Sequence, residues 1–107
     1  MMQPLLNAKN PAWFYLNTYG ALLYRRGDYR GAVNYLRRSI DTQKGIGSWA
    51  DWVFVAMALH RQRQPGDQEA LATARRLAAK TNQSLNDKIE IRYLLDEAER
   101  ELKLPPP

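Results

Sequence analysis

His60 is the chain's one histidine, and there is no cysteine. These two residue types supply most nucleophiles, general bases and zinc ligands. A metal site built on His60 would need two or three further strong ligands converging on it, so it reads as a surface or rim residue. The absence of cysteine excludes disulfides and thiolate chemistry and leaves the redox compartment open. Asp96, Glu97, Glu99 and Glu101 stand close enough in sequence to pair as acid and base. A run of this kind on an amphipathic helix is more simply its solvated face. Gly45-Ile46-Gly47 is too short for a phosphate-binding loop and follows a helix pattern where such a loop follows a strand. No serine sits in a nucleophile-elbow context. The expectation is a non-enzyme with no catalytic residues, no metal ligands and no cofactor.

Charge is the next candidate for chemistry. The 107 residues carry a net +5, unevenly spread. Residues 1–83 hold twelve Lys and Arg against five acids, and residues 84–107 hold four against six. The arginines come in pairs: Arg25-Arg26, Arg37-Arg38 and Arg75-Arg76. A basic body can attract nucleic acid or acidic peptides. Here the cations scatter over several helix patterns instead of forming one stripe, which favours solvated helix faces and helix C-termini, where the macrodipole favours cations.

The elements that carry these residues repeat about every 36 positions. Trp13, Trp49 and Leu85 open three helix patterns in one register. A period of that size with helical spacing inside it signals stacked helical hairpins. Residues 1–10 form an irregular lead-in, and Asn10-Pro11 is a cap followed by a first-turn proline. Helix one runs to about Arg26, and Gly27-Asp28 breaks it. Helix two spans about Tyr29 to Thr42, with Ala32, Val33, Leu36 and Ile40 on one face. Gly45-Ile46-Gly47 stops it through glycine's tolerance of the left-handed region. Ser48-Trp49-Ala50-Asp51 resembles a capping box and starts helix three, which runs to about Gln62. Pro65-Gly66 punctuates the next turn. Helix four, about Gln68 to Lys80, repeats helix two with a shift of 38, so the second turn is two residues longer. Thr81-Asn82-Gln83 is a loop, and Ser84-Leu85-Asn86-Asp87 starts helix five, which carries Ile91, Leu94, Leu95, Ala98 and Leu102 on one side. Pro105-Pro106-Pro107 is a proline tail that ends it. The domain layout is a hairpin over 11–44, a hairpin over 48–81 and a capping helix over 85–103, one domain spanning 11–104. The start has no basic segment or apolar stretch of signal-peptide type, and no run approaches a membrane span. A cytoplasmic protein with no membrane contact, or a fragment of one, is expected.

Residues 13–44 resemble a tetratricopeptide repeat: Leu16, Tyr19, Gly20, Leu23 and Tyr24, then Gly27-Asp28-Tyr29, Ala32, Leu36 and Ser39. The small residues Gly20 and Ala32 would let two helix axes approach closely. Trp52, Val55, Ala56, Leu59 and Ala70 continue the likeness in residues 49–80, with a longer turn and an alanine-rich second helix. The resemblance covers roughly residues 11–103. It implies an all-α, right-handed superhelix of two helical hairpins plus a C-terminal capping helix, five helices in all.

The resemblance also implies a concave groove lined by the first helix of each hairpin. Helix one would present Phe14, Asn17, Thr18, Ala21, Tyr24 and Arg25 to it. Helix three would present Ala50, Val53, Phe54, Met57, His60 and Arg61, and helix five Ile89, Arg92, Tyr93 and Asp96. The family's carboxylate clamp is absent, because Asn17 and Ala21 stand where Lys and Asn would be needed. What remains is an aromatic and aliphatic surface rimmed by Tyr24, Arg25, His60 and Arg61, suited to a peptide or helix partner. The same spacing lets Val53, Phe54 and Met57 pack against helix five, and the sequence leaves both readings open.

The function expected is therefore a non-catalytic protein–protein interaction scaffold. Two alternatives stay open: nucleic-acid binding through the paired arginines, and an engineered or model repeat protein with no native ligand. A monomer is expected, with the exposed stack ends as the place where copies would join.

Overall fold

Local signals place the helix ends. In the computed structural model, which describes residues 12–81 and 84–104, five helices follow one another and no strand occurs among the described residues. They are α1 (Ala12–Arg25), α2 (Tyr29–Thr42), α3 (Trp49–Arg61), α4 (Asp67–Lys80) and α5 (Leu85–Lys103). The lead-in at 1–10, the Asn10-Pro11 cap, residues 82–83 of the third loop and the proline tail at 105–107 lie outside the described residues.

Both Ser-x-x-Asp starts form full capping boxes, Ser48 with Asp51 and Ser84 with Asp87. Each satisfies two backbone donors that a helix start would otherwise leave open. Asp28 caps α2 by accepting from the Gly31 amide at 3.0 Å. The end of α1 is a Schellman turn: the Gly27 amide donates to Tyr24 O at 3.0 Å and the Asp28 amide to Leu23 O at 2.9 Å, with Gly27 at φ 87°.

Two ends differ from expectation. The first left-handed residue after α2 is Lys44, at φ 62°, ahead of Gly45 and Gly47. The Gly45 amide then closes on Ile40 O at 3.0 Å, so the stop begins one residue before the glycines. Helix α4 begins at Asp67, capped by Gly66 at φ 98° with no side-chain cap, one residue earlier than its apolar pattern indicated.

Helices α1 and α2 pack as one pair and α3 and α4 as another, and α2 joins the pairs by lying along α3. Gly20 sits at the closest approach of the first pair. A Cβ there would fall 2.8 Å from Leu36 Cγ and 3.3 Å from Ala32 O.

Helix α3 is the centre of the molecule. Every residue from Val53 to Leu59 is buried, as expected of a helix with apolar residues all round. Helix α5 closes its last side. It packs chiefly along α3 and less along α4, burying Ile91, Leu94 and Ala98. It therefore packs more on α3 than on α4, instead of covering the two evenly.

Candidate partner-binding groove

Phe14, Thr18, Ala21 and Arg25 fall on one stripe of α1 by helical spacing, and the lower end of that stripe meets α5. Tyr24, Phe54 and Tyr29, from α1, α3 and α2, form an aromatic floor. The Tyr24 ring lies 5.8 Å from Phe54 edge-on and 5.5 Å from Tyr29. Two arginines rest on this floor. The Arg25 guanidinium carbon is 5.6 Å from the Tyr24 ring and 5.4 Å from Phe54, and that of Arg61 is 5.7 Å from Tyr29. Such stacking holds a planar cation without using its hydrogen-bond fork.

The forks are turned to α5. Arg25 pairs with both oxygens of Glu97, Nη2 to Oε1 at 2.8 Å and Nη1 to Oε2. Arg61 donates from Nε and Nη2 to Glu101 Oε1, each at 2.9 Å. Glu97 and Glu101 stand four apart, one turn of α5, so a single helix flank meets α1 and α3. On the opposite flank Glu99 accepts from Arg75 of α4, at 2.7 Å from Nη2. His60 closes the C-terminal end of α5, with Nε2 2.7 Å from Leu104 O and Nδ1 3.0 Å from Asp67 Oδ2. Both ring nitrogens face acceptors.

These contacts set the electrostatics. Burial pushes the Tyr24 phenol above its ordinary range, and the Glu101 carboxylate adds to that shift while Arg61 offsets part of it. The hydrogen bond to Glu97 raises Arg25 above the usual guanidinium value despite burial. Burial opposes the Arg61 charge, but Glu101 and the nearby tyrosines outweigh it and raise that group as well.

The residues expected to line one groove thus divide. Tyr24, Arg25, Phe54, Met57, His60 and Arg61 do come together, but as the seat of α5. Phe54 and Tyr24 are 6% exposed and Met57 and Val53 are 0% exposed, so none of these four presents a free surface. The reason is the position of α5, which packs on the face of α3 that carries three of them. Ala21 is half-buried against the same core. Asn17 is turned inward, its amide donating to Asp51 Oδ1 at 2.8 Å. Phe14 and Thr18 are exposed, with the Thr18 hydroxyl donating to Phe14 O. Arg92 and Tyr93 lie on the outer side of α5, beside Lys88, Ile89 and Asp96 around an open depression of about 460 Å³. A larger depression, about 690 Å³, lies between the start of α2 and the end of α3, lined by Asp28, Arg30, Gln62 and Gln64 among others. It holds none of the residues expected to bind a partner.

Two features went unread in the sequence. Glu97 and Glu101 looked like part of a solvated run, although the acidic C-terminal segment opposite a basic body already matched them to arginines. Asp51 looked like a cap alone. It is fully buried and also accepts from Asn17 and from Gln43 Nε2 at 2.8 Å, tying α1 and the end of α2 to the start of α3. A cap residue facing an amide one repeat earlier was the available sign. The arginine pairs do not act as pairs: Arg75 holds Glu99 while Arg38 stacks on Tyr35 at 4.9 Å. No described helix is long and apolar enough to cross a membrane. No family model matches the chain, and no curated protein or solved structure matches it.

Proposed function

We propose that this chain is a non-catalytic interaction scaffold of tetratricopeptide type, working in the cytoplasm, whose concave face holds a helical or extended protein segment. One observation supports this reading above the others. The face made by α1 and α3 grips a helix through two stacked arginines and an aromatic floor, and the helix it grips is the chain's own α5. A surface with these parts recognises shape, apolar area and carboxylate position together. Phe14 and Thr18 stay exposed on the stripe of α1 that leads to Arg25, and Tyr93 stays exposed on the outer side of α5, so all three are open to a partner.

The dispersal of the arginine pairs weighs against the nucleic-acid alternative, since phosphate tracking needs a continuous basic stripe. Site-specific photocrosslinking in the cell of origin tests the proposal. A photoreactive residue at Thr18 or Tyr93 should capture a protein, and one at Arg37 on α2 should not. Capture from Arg37 alone, or capture of nucleic acid, would overturn it.

A further inference from the structure

We infer that the seat beneath α5 is a receptor for an acidic amphipathic helix supplied by another protein, and that α5 is its resident occupant, displaced when that helix binds. This inference rests on the scaffold reading and names its partner class.

The seat does not depend on α5 for its shape. Tyr24 of α1 contacts both Tyr29 of α2 and Phe54 of α3, and these rings support Arg25 and Arg61. The two cations therefore each have a ring support that comes from outside α5. The occupant defines the ligand: Leu94-x-x-Glu97-Ala98-x-x-Glu101 places a large apolar residue, a small one and two carboxylates on adjoining positions of one helix side. Ala98 is 0% exposed, so the second apolar position admits little beyond a methyl group.

The occupant is held lightly for a helix of 19 residues. Three of its side chains are buried, Leu95 and Leu102 are half-buried against the same core, and residues 84–90 are all exposed. Its ion pairs are open on the arginine side, with Arg25 45%, Arg61 34% and Arg75 49% exposed, while Glu97 and Glu101 are 16% and 22% exposed. Exposed pairs of this kind contribute little individually. Chain connection is what favours α5 over a rival, because a short linker gives it an effective concentration in the millimolar range. A rival helix therefore succeeds when it binds better than α5 or when α5 is loosened, and its apparent affinity scales with the fraction of open seats.

The test uses the full chain and a fluorescently labelled peptide of residues 84–104, read by anisotropy. The wild-type chain should take the peptide weakly. Glu97→Lys with Glu101→Lys in the chain loosens α5 and should tighten peptide binding at least about tenfold, as the open fraction rises. The same two changes in the peptide should abolish its binding. Arg25→Glu with Arg61→Glu in the chain should lose the normal peptide and accept the charge-reversed one. Circular dichroism checks that each variant stays helical. No uptake by a folded, loosened chain would overturn the inference, as would equal uptake by the Arg25→Glu, Arg61→Glu chain. Conversion of the loosened chain to a dimer that excludes peptide would assign the seat to a second copy and overturn it too. If the peptide fails while Thr18 and Tyr93 still crosslink a protein, the scaffold reading survives and the acidic-helix partner does not.

Discussion

Replacing Asp51 should cost this small domain much of its stability. Its carboxylate is fully buried and accepts from four donors: Asn17 Nδ2 and Gln43 Nε2 at 2.8 Å, the Ser48 amide at 2.9 Å and Ser48 Oγ at 3.0 Å. Asp51→Ala takes the carboxylate acceptor from Asn17 and from Gln43, whose Nε2 keeps its bond to Ser39 O at 2.9 Å, and hydrogen bonds to charged groups are worth about 1.5–3 kcal/mol each. It also removes half of the α3 capping box, worth about 1 kcal/mol. Partial rescue by water lowers the total, leaving an expected loss of about 3–5 kcal/mol, against a typical domain stability of about 5–15 kcal/mol. Asp51→Asn keeps the shape but turns an NH2 toward donors, with an expected loss of about 2 kcal/mol. Urea unfolding followed by circular dichroism measures both, provided the slope with denaturant is unchanged. A double-mutant cycle with Asn17→Ala should show coupling of about 1 kcal/mol or more. A loss below about 1 kcal/mol for Asp51→Ala, with no coupling, would refute the idea that one carboxylate ties the two helix pairs together.

Three further outcomes are expected. Gly20→Leu should lower the melting temperature through a loss of about 1–3 kcal/mol, because even a Cβ there meets Leu36 at 2.8 Å; an unchanged melting temperature would contradict the α1–α2 register. Met57→Ala should cost about 2–5 kcal/mol in thermal or urea unfolding, as for a core methionine, and a near-neutral result would return Met57 to the open groove. Burial raises the Tyr24 phenol above its ordinary 10.0, so as the pH climbs past 10 the unfolded chain loses that proton first and the native state loses stability. Tyr24→Phe should show a flatter fall between pH 9 and 11 in stability measured by urea unfolding, and parallel curves would rule out the burial.

What was legible in the sequence was local. Ser48 with Asp51, and Ser84 with Asp87, announce their helices because a capping box needs only four residues. Gly27-Asp28 marks its turn for the same reason, and the small pair Gly20 and Ala32 disclosed a close helix contact. Lys44 was missed as the α2 stop because glycines beside it looked sufficient, whereas the chain had to turn one residue earlier. The groove stays undecided in the sequence for a deeper reason. Residues at i, i+3 and i+4 on a helix face look alike whether that face meets solvent, a partner or another helix. Whether Phe54 and Met57 are lining or core is decided by where α5 comes to rest, a contact some forty residues away in sequence. The sequence traces of that contact are the spacing that lets Val53, Phe54 and Met57 pack against helix five and the opposition of charge between residues 84–107 and the rest of the chain.

Native-state hydrogen exchange on the unmodified chain bears most directly on the central claim, that α5 is a separable occupant of a seat built by α1, α2 and α3. Amides of α5 from Ile91 to Leu102 should exchange through a local opening, at a free energy well below that of the α3 amides from Val55 to Leu59. Arg25→Glu with Arg61→Glu should speed exchange in α5 while α3 keeps its protection. If α5 and α3 exchange at the same free energy in both proteins, α5 opens only when the whole domain unfolds, and the account is wrong.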